Sequence, residues 1–374
     1  MMKNKILLFT SKKNYFYIFC GIFILHLIAD FSHKFLSIYN FESPNVKRII
    51  KGLFLLLSFS TYFIRSKRNT PFFLNVYIIT FLFFSFKLLL YNTSLTFFRY
   101  FFLIGILPLF YYFYSDGFDD RQFIKILKYF LLINFFAVII GFVFNLDIFL
   151  TYGNLRFGFN GLLLNQMQTP YFYICALFIF YNNKDYLLVL LISFCMLFSG
   201  VKASIFGLFL FIFFTIITIK IKNNIKLYLI FLTFLIFLFV LYYLFNTQIF
   251  KTIIVNEGII TAITSYRNIN FENVLSQITK NNFNILIGTT GLQNFRTEFG
   301  VIDVILYFGF VGLVFYFLLI KDLFLKFADS QYSKIFIVVI LLTMAMSGNF
   351  FYFPFNCLMF LITLLILKSK PLNC

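Results

Sequence analysis

Six ionisable residues stand out because each falls in or beside a short polar segment of an otherwise apolar chain: Arg156, Lys202, Arg267 and Arg296, followed closely by Glu298 and Asp303. Arginine and lysine gathered on one side neutralise a phosphoanion through several charge-assisted hydrogen bonds. A carboxylate beside them accepts a proton from an attacking hydroxyl. On the topology counted below, all four cations fall on the outer side of a membrane, against the usual cytoplasmic bias of Lys and Arg. Residues that break a strong placement rule are candidates for function. Their charge suits an anionic ligand, and a lipid-linked diphosphate is the membrane-borne one.

Such residues need a scaffold. The chain has 374 residues, of which 61% are hydrophobic and only 12% charged, against about 25% charged in soluble domains. Stretches such as Ile230 to Leu241 are apolar at every position, which excludes the period-two alternation of a transmembrane β-barrel. The expected fold is all-α: one polytopic helical membrane domain over residues 1–374. The net charge of +18 sits mostly in short loops, where it sets orientation and meets anionic lipid head groups rather than nucleic acid. Phe is abundant at 64 residues and Trp is absent, a bias that AT-rich codons produce. The five cysteines include no CxxC pair, so no metal or redox role and no cofactor is expected. The first apolar run, Tyr15 to Phe31, reads as an uncleaved span.

Lys3, Lys5, Lys12 and Lys13 place the N-terminus in the cytoplasm. Spans are expected at 15–31, 49–64, 72–91, 97–114, 126–145, 166–182, 186–200, 204–219, 227–245, 301–320, 335–351 and 355–367. About twelve crossings put more than half of the 31 basic residues inside. The apolar run 186–219 would reach roughly 50 Å as one helix, too long for a single crossing of a ~30 Å core. It therefore splits at Ser199-Gly200-Val201-Lys202, and 335–367 splits at Ser347-Gly348-Asn349 and Pro354. The largest outer segment, 246–300, carries apolar residues at helical spacing and is expected to hold one or two short surface helices.

Three polar patterns occur in order. They are Asn154-Leu155-Arg156-Phe157-Gly158-Phe159, then Phe198-Ser199-Gly200-Val201-Lys202-Ala203-Ser204, then Thr264-Ser265-Tyr266-Arg267 through Gly288-Thr289-Thr290-Gly291 to Glu298, Asp303 and Gly309-Phe310-Val311-Gly312. Over residues 150–312 this order resembles the superfamily of O-antigen polymerases (Wzy-type) and O-antigen ligases. The resemblance implies glycosyl transfer between oligosaccharides linked to undecaprenyl diphosphate, on the outer face of a bacterial cytoplasmic (inner) membrane. The expected product is a surface polysaccharide, O-antigen or capsule. Expected partners are the lipid-linked oligosaccharides, membrane lipids, a flippase and a chain-length regulator, and no nucleic acid. Arg156 and Arg267 match the family's diphosphate-binding arginines. Lys202 stands where many relatives have Arg, so it keeps the charge but not the bidentate fork. Glu298 matches the acidic position of polymerases, with Asp303 as a second candidate proton acceptor. Ligases of this pattern use His nearby, and this chain has no His after His33. The alternatives are a flippase or other transporter of lipid-linked oligosaccharide, and an O-antigen ligase.

Plainer readings stand beside these. Arg156 snorkels to head groups, Lys202 caps a helix turn, Arg267 pairs with Glu272, and Glu298 neutralises Arg296. Gly288 to Gly291 is a turn whose N–H groups could also approach phosphate. His26, Asp30 and His33 share one helix face and read either as a metal site or as a polar interface. Lys87 and Arg99 either snorkel outward or line a path for the lipid diphosphate.

Overall fold

In the computed structural model, residues 12–39, 46–65, 82–83, 85–86, 95–116, 118–152, 157–278, 284–288 and 296–368 are described. They are helical, apart from loops and isolated bridges. The helices are α1 (Lys12–Ile38), α2 (Val46–Arg65), α3 (Leu95–Asp116), α4 (Asp120–Phe144), α5 (Thr169–Asn182), α6 (Tyr186–Phe198), α7 (Lys202–Thr218) and α8 (Asn223–Phe245). Three short ones follow, α9 (Gln248–Glu257), α10 (Ile259–Thr264) and α11 (Arg267–Ile278), and then α12 (Gly300–Phe327), α13 (Gln331–Ser347) and α14 (Pro354–Lys368).

Helices α5 and α14 form the centre. Every residue of α5 except Tyr181 is buried, as is α14 from Pro354 to Leu367 apart from Phe360. They pack on one another, with α3, α6 and α7 around them. Helix α8 is the opposite case. Of its residues only Leu244 is buried, yet its surface presents Phe231, Phe234, Phe239 and Tyr242. A helix apolar on all sides and exposed on nearly all of them is compatible with an apolar solvent such as a membrane.

Among the described residues four helices are long and apolar enough to cross a membrane: Asn14–Ile38, Asp120–Phe144, Asn223–Phe245 and Gly300–Lys321. Five further apolar helices are shorter, among them Tyr186–Phe198 and Lys202–Thr218. Helices α1–α8 and α12–α14 each coincide with one span expected from sequence. The remaining segment, 72–91, lies largely outside the described residues, as does Lys87. Among the described residues, length and composition alone thus mark four spans, where about twelve are expected for the whole chain. Both expected breaks occur, at Ser199–Val201 and between Ser347 and Pro354. The 246–300 segment holds three short helices where one or two are expected.

Helix α12 is broken at Gly309, whose φ of 67° and ψ of −170° belong to a region open essentially to glycine alone. The break frees two amides. Phe310 N–H donates to Ile285 O at 3.0 Å and Val311 N–H to Leu286 O at 3.1 Å. A side chain on Gly309 would collide with Leu286 O. Residues 284–288 thereby dock into the broken helix, the arrangement by which interrupted membrane helices keep their backbone groups paired.

Loop contacts sort into two ends of the bundle. At one end the Lys34 ammonium donates to Asn160 Oδ1 (2.6 Å) and Gly161 O (2.8 Å), Thr151 Oγ1 to Ser199 O (2.9 Å), and Asn356 Nδ2 to Met167 O (3.2 Å). At the other end Lys128 pairs with Asp185 at 2.9 Å, Ser330 Oγ donates to Leu367 O, and Lys368 lies over the Tyr114 ring. In each of these contacts the two partners are residues that the basic-residue count would assign to one and the same side.

Candidate functional site

A cavity of about 430 Å³ opens at the first of these ends. The N-terminus of α7 gives it Lys202, Ala203 and Phe206, and the end of α8 gives Phe237, Leu241 and Phe245. The corner between α10 and α11 contributes Ile263, Ser265 and Arg267; the turn before α12 contributes Glu298; the α13–α14 turn contributes Ser347 and Asn349. Tyr152, Gln166 and Met167 complete the wall. One flank is apolar and belongs to the exposed helix α8, while the other carries the charges.

Three of the residues singled out from sequence meet here. Arg267, the first residue of α11, is only 9% exposed. Its Nε stands 3.7 Å from Glu298 Oε2. Burial pushes the Arg267 guanidinium below its ordinary pKa, and the Glu298 charge opposes that shift. Glu298 also faces Arg296, whose NH2 lies 3.5 Å from Oε1. Arg296 in turn donates through NH1 to Asn349 Oδ1 at 2.8 Å, and Asn349 Nδ2 reaches Glu298 Oε2 at 3.5 Å. A carboxylate is thus held between two guanidiniums at the mouth of a largely apolar cavity.

The Lys202 ammonium donates to Ala262 O (2.6 Å) and Ile263 O (3.0 Å) and lies over the Phe250 ring at 4.9 Å. It ties α7 to the last turn of α10, two residues before the corner that delivers Arg267. That contact is with backbone carbonyls, so Lys202 lines the cavity and braces its wall at once.

Asp303 lies elsewhere. It is 1% exposed and does not line the cavity. Its Oδ1 accepts from Thr297 N–H and Thr297 Oγ1, both at 2.8 Å, and its Oδ2 accepts from Tyr100 Oη at 3.0 Å. With its acceptor sites so engaged, Asp303 pins the residue preceding Glu298. Arg156 falls outside the described residues. Among its neighbours in sequence, Tyr152 lines the cavity, and Phe159 N–H donates to Phe198 O at 2.8 Å. The first two polar patterns are therefore in contact. Thr289, Thr290 and Gly291 are also outside the described residues.

The backbone is strained where these residues converge. Of the non-glycine residues at positive φ, Ser265 (55°), Glu298 (62°) and Asn349 (59°) all line the cavity, and Tyr266 (68°) adjoins it. Left-handed residues of this kind cluster at functional sites. Sequence reasoning did not single out Asn349 or Tyr352, and it counted Arg296 among the four outward cations while assigning diphosphate binding to Arg156, Lys202 and Arg267 alone. Arg296 lies over the Tyr352 ring with Cζ 3.5 Å from its centroid, and Arg99 approaches the same ring at 4.3 Å. The signal available in sequence was the spacing Arg296-x-Glu298 and the polar Ser347-Gly348-Asn349 break; only packing unites them. Among the described residues no group of three or more His, Cys, Asp or Glu, His26, Asp30 and His33 included, is arranged to hold a metal ion.

Comparison with protein families, curated proteins and solved structures finds no match to this chain.

Proposed function

We propose that this chain is a membrane glycosyltransferase, a polymerase that joins oligosaccharides linked to undecaprenyl diphosphate on the outer face of a bacterial cytoplasmic membrane. The observation that carries the reading is the convergence of Lys202, Arg267 and Glu298 on one cavity whose opposite flank is the apolar, exposed helix α8. A lipid-linked sugar diphosphate is built the same way, with an anion, a polar oligosaccharide and an apolar tail. Twelve crossings with both termini inside accommodate the helices and the two-ended sorting of loops. The charges gather at one end of the bundle, which favours transfer at the membrane surface over transport through it.

In the proposed reaction Arg267 and Arg296 turn from Glu298 to the donor's diphosphate. This exchange frees the Glu298 carboxylate. A sugar hydroxyl of the acceptor attacks the anomeric carbon of the donor, and its proton passes to Glu298. The bond between that carbon and the phosphate oxygen breaks, and undecaprenyl diphosphate leaves with the electron pair. Its charge is held by the arginines, the kind of preorganised electrostatic stabilisation that is worth most in a water-poor site. Asp303 positions the Thr297–Glu298 turn rather than taking the proton. Lys202 keeps the α10–α11 corner in place.

The test is reconstitution. The purified chain in lipid nanodiscs is given the undecaprenyl-diphosphate-linked oligosaccharides extracted from a strain of its host that lacks the gene. A ladder of products spaced by one repeat supports a polymerase. Intact single repeats, with no free undecaprenyl diphosphate, oppose it.

A further inference from the structure

A second cavity, of about 280 Å³, lies behind the first. The Asn165–Gln168 turn divides them, since Gln166 and Met167 line the first cavity while Asn165 and Gln168 line the second. Lys47, Lys51 and Arg99 furnish its charged wall, and Tyr352 and Pro354 its floor. Lys51, Arg99 and Pro354 are shared with an adjoining pocket of about 250 Å³ that continues along Leu55 and Phe102 to the exposed Arg48. The two pockets are thus lined by four cations against a single described carboxylate, Asp30. That carboxylate is already engaged, by Lys47 at 3.1 Å and by Gln168 Nε2 at 3.1 Å. Among the described residues Arg48, Lys51 and Arg99 have no carboxylate within ion-pair distance. His26 lines the same cavity and is 3% exposed; its Nε2 stands 3.6 Å from Asp30 Oδ2, and neither ring nitrogen makes a hydrogen bond. Cations without a described counter-charge, lining a cavity, describe a site built for an anion that brings its own acceptors.

We propose that this cavity binds the diphosphate of a second lipid-linked oligosaccharide, the acceptor, with its prenyl chain running along Leu55 and Phe102. The inference rests on the function proposed above. An acceptor keeps its own diphosphate through the reaction, because its attacking hydroxyl is at the far end of its oligosaccharide. Its anionic head must therefore be held apart from the leaving diphosphate. The two cation clusters are joined by Tyr352, with Arg99 over its ring on the side of the second cavity and Arg296, the Glu298 partner, over the same ring. Glu298 thereby sits between two anion sites, where a proton acceptor serving two lipid-linked substrates belongs.

The test is calorimetric titration of the full chain in nanodiscs with farnesyl diphosphate and, separately, with inorganic diphosphate. The wild type should take up two equivalents of farnesyl diphosphate. Lys51→Gln and Arg99→Gln should each weaken one of the two by about tenfold or more, the worth of one charged hydrogen bond, and leave the other unchanged. Arg267→Gln should weaken the other. Arg48 is exposed, so Arg48→Glu probes the site without disturbing packing, and it should weaken the same equivalent most at low salt. Farnesyl diphosphate should outbind inorganic diphosphate at this site, because Leu55 and Phe102 cover the chain. A single equivalent in the wild type, or unchanged binding in Lys51→Gln, Arg99→Gln and Arg48→Glu, overturns the second site. Equal affinity for the two probes overturns the lipid assignment in favour of a free phosphoanion. Unchanged binding in Arg267→Gln alone counts against the first cavity as donor site and leaves the second standing.

Discussion

The backbone carbonyl of Glu298 rests against Gly348, in the space a side chain there would fill. Gly348 adopts φ 56° and ψ −155°, a region that costs other residues about 1–3 kcal/mol, and its own carbonyl accepts from Tyr171 Oη. The α13–α14 turn therefore sets the height of Glu298 in the cavity, and Asn349, one residue on, meets its carboxylate.

Gly348→Ala should displace Glu298 and lower polymerisation at least about tenfold, while the helical content of the purified protein stays normal. Gel analysis of polysaccharide length beside circular dichroism checks this. Full-length polymer in Gly348→Ala would mean that the position of Glu298 does not matter.

Asp303 offers a test that separates support from chemistry. An asparagine can still accept both Thr297 hydrogen bonds through its oxygen, and its amide can donate to Tyr100 Oη. Asp303→Asn should therefore keep most activity. Asp303→Ala leaves Thr297, a fully buried residue, with two orphaned donors, and should lose roughly 2–4 kcal/mol of stability together with activity. An inactive but stably folded Asp303→Asn would make Asp303 the proton acceptor after all.

Arg267 is expected to tolerate neither Ala nor Lys, since a lysine lacks the planar fork that meets two oxygens at once. Each change should cost about 10²–10³ in rate if the contact forms at the developing charge. Arg156 is expected to behave alike. Normal chain length in Arg267→Lys, with the protein present in the membrane, would reduce the residue to an interfacial anchor.

Topology is testable by cysteine labelling in a background lacking the native cysteines. Ile260, exposed on α10, should react from outside with a membrane-impermeant maleimide when changed to Cys. Tyr186, exposed at the start of α6, should react only after the membrane is opened. The reverse pattern would place the charged cavity in the cytoplasm and remove its proposed substrate.

Much of the architecture is written locally. The breaks at Ser199–Val201 and Ser347–Asn349 follow from polar and glycine residues interrupting apolar runs of the wrong length for one crossing, and both occur where expected. Lys202, Arg267 and Glu298 were legible as cations and a carboxylate out of place in their surroundings. What escaped depends on contacts distant in sequence. Arg296 and Asn349 are 53 residues apart yet share a hydrogen bond. Asp303 and Tyr100 are separated by 203 residues, so nothing near Asp303 announced its burial. Gly309 belonged to a quoted motif, but its docking onto Leu286 appears only in three dimensions. Lys47 and Lys51 drew no reading from the sequence, and Arg99 read as either snorkelling outward or lining a path for the lipid diphosphate; the packing of α2 on α3 brings the three together.

The most direct test of the central claim is the reconstituted reaction with Glu298→Gln. The substitution keeps the shape beside Arg267 and Arg296 but removes the negative charge that accepts the proton. The variant should bind the lipid-linked donor at least as tightly as the wild type, since the carboxylate no longer competes for the arginines, and should form no product beyond a single repeat. A ladder of normal length and rate from Glu298→Gln would contradict the account.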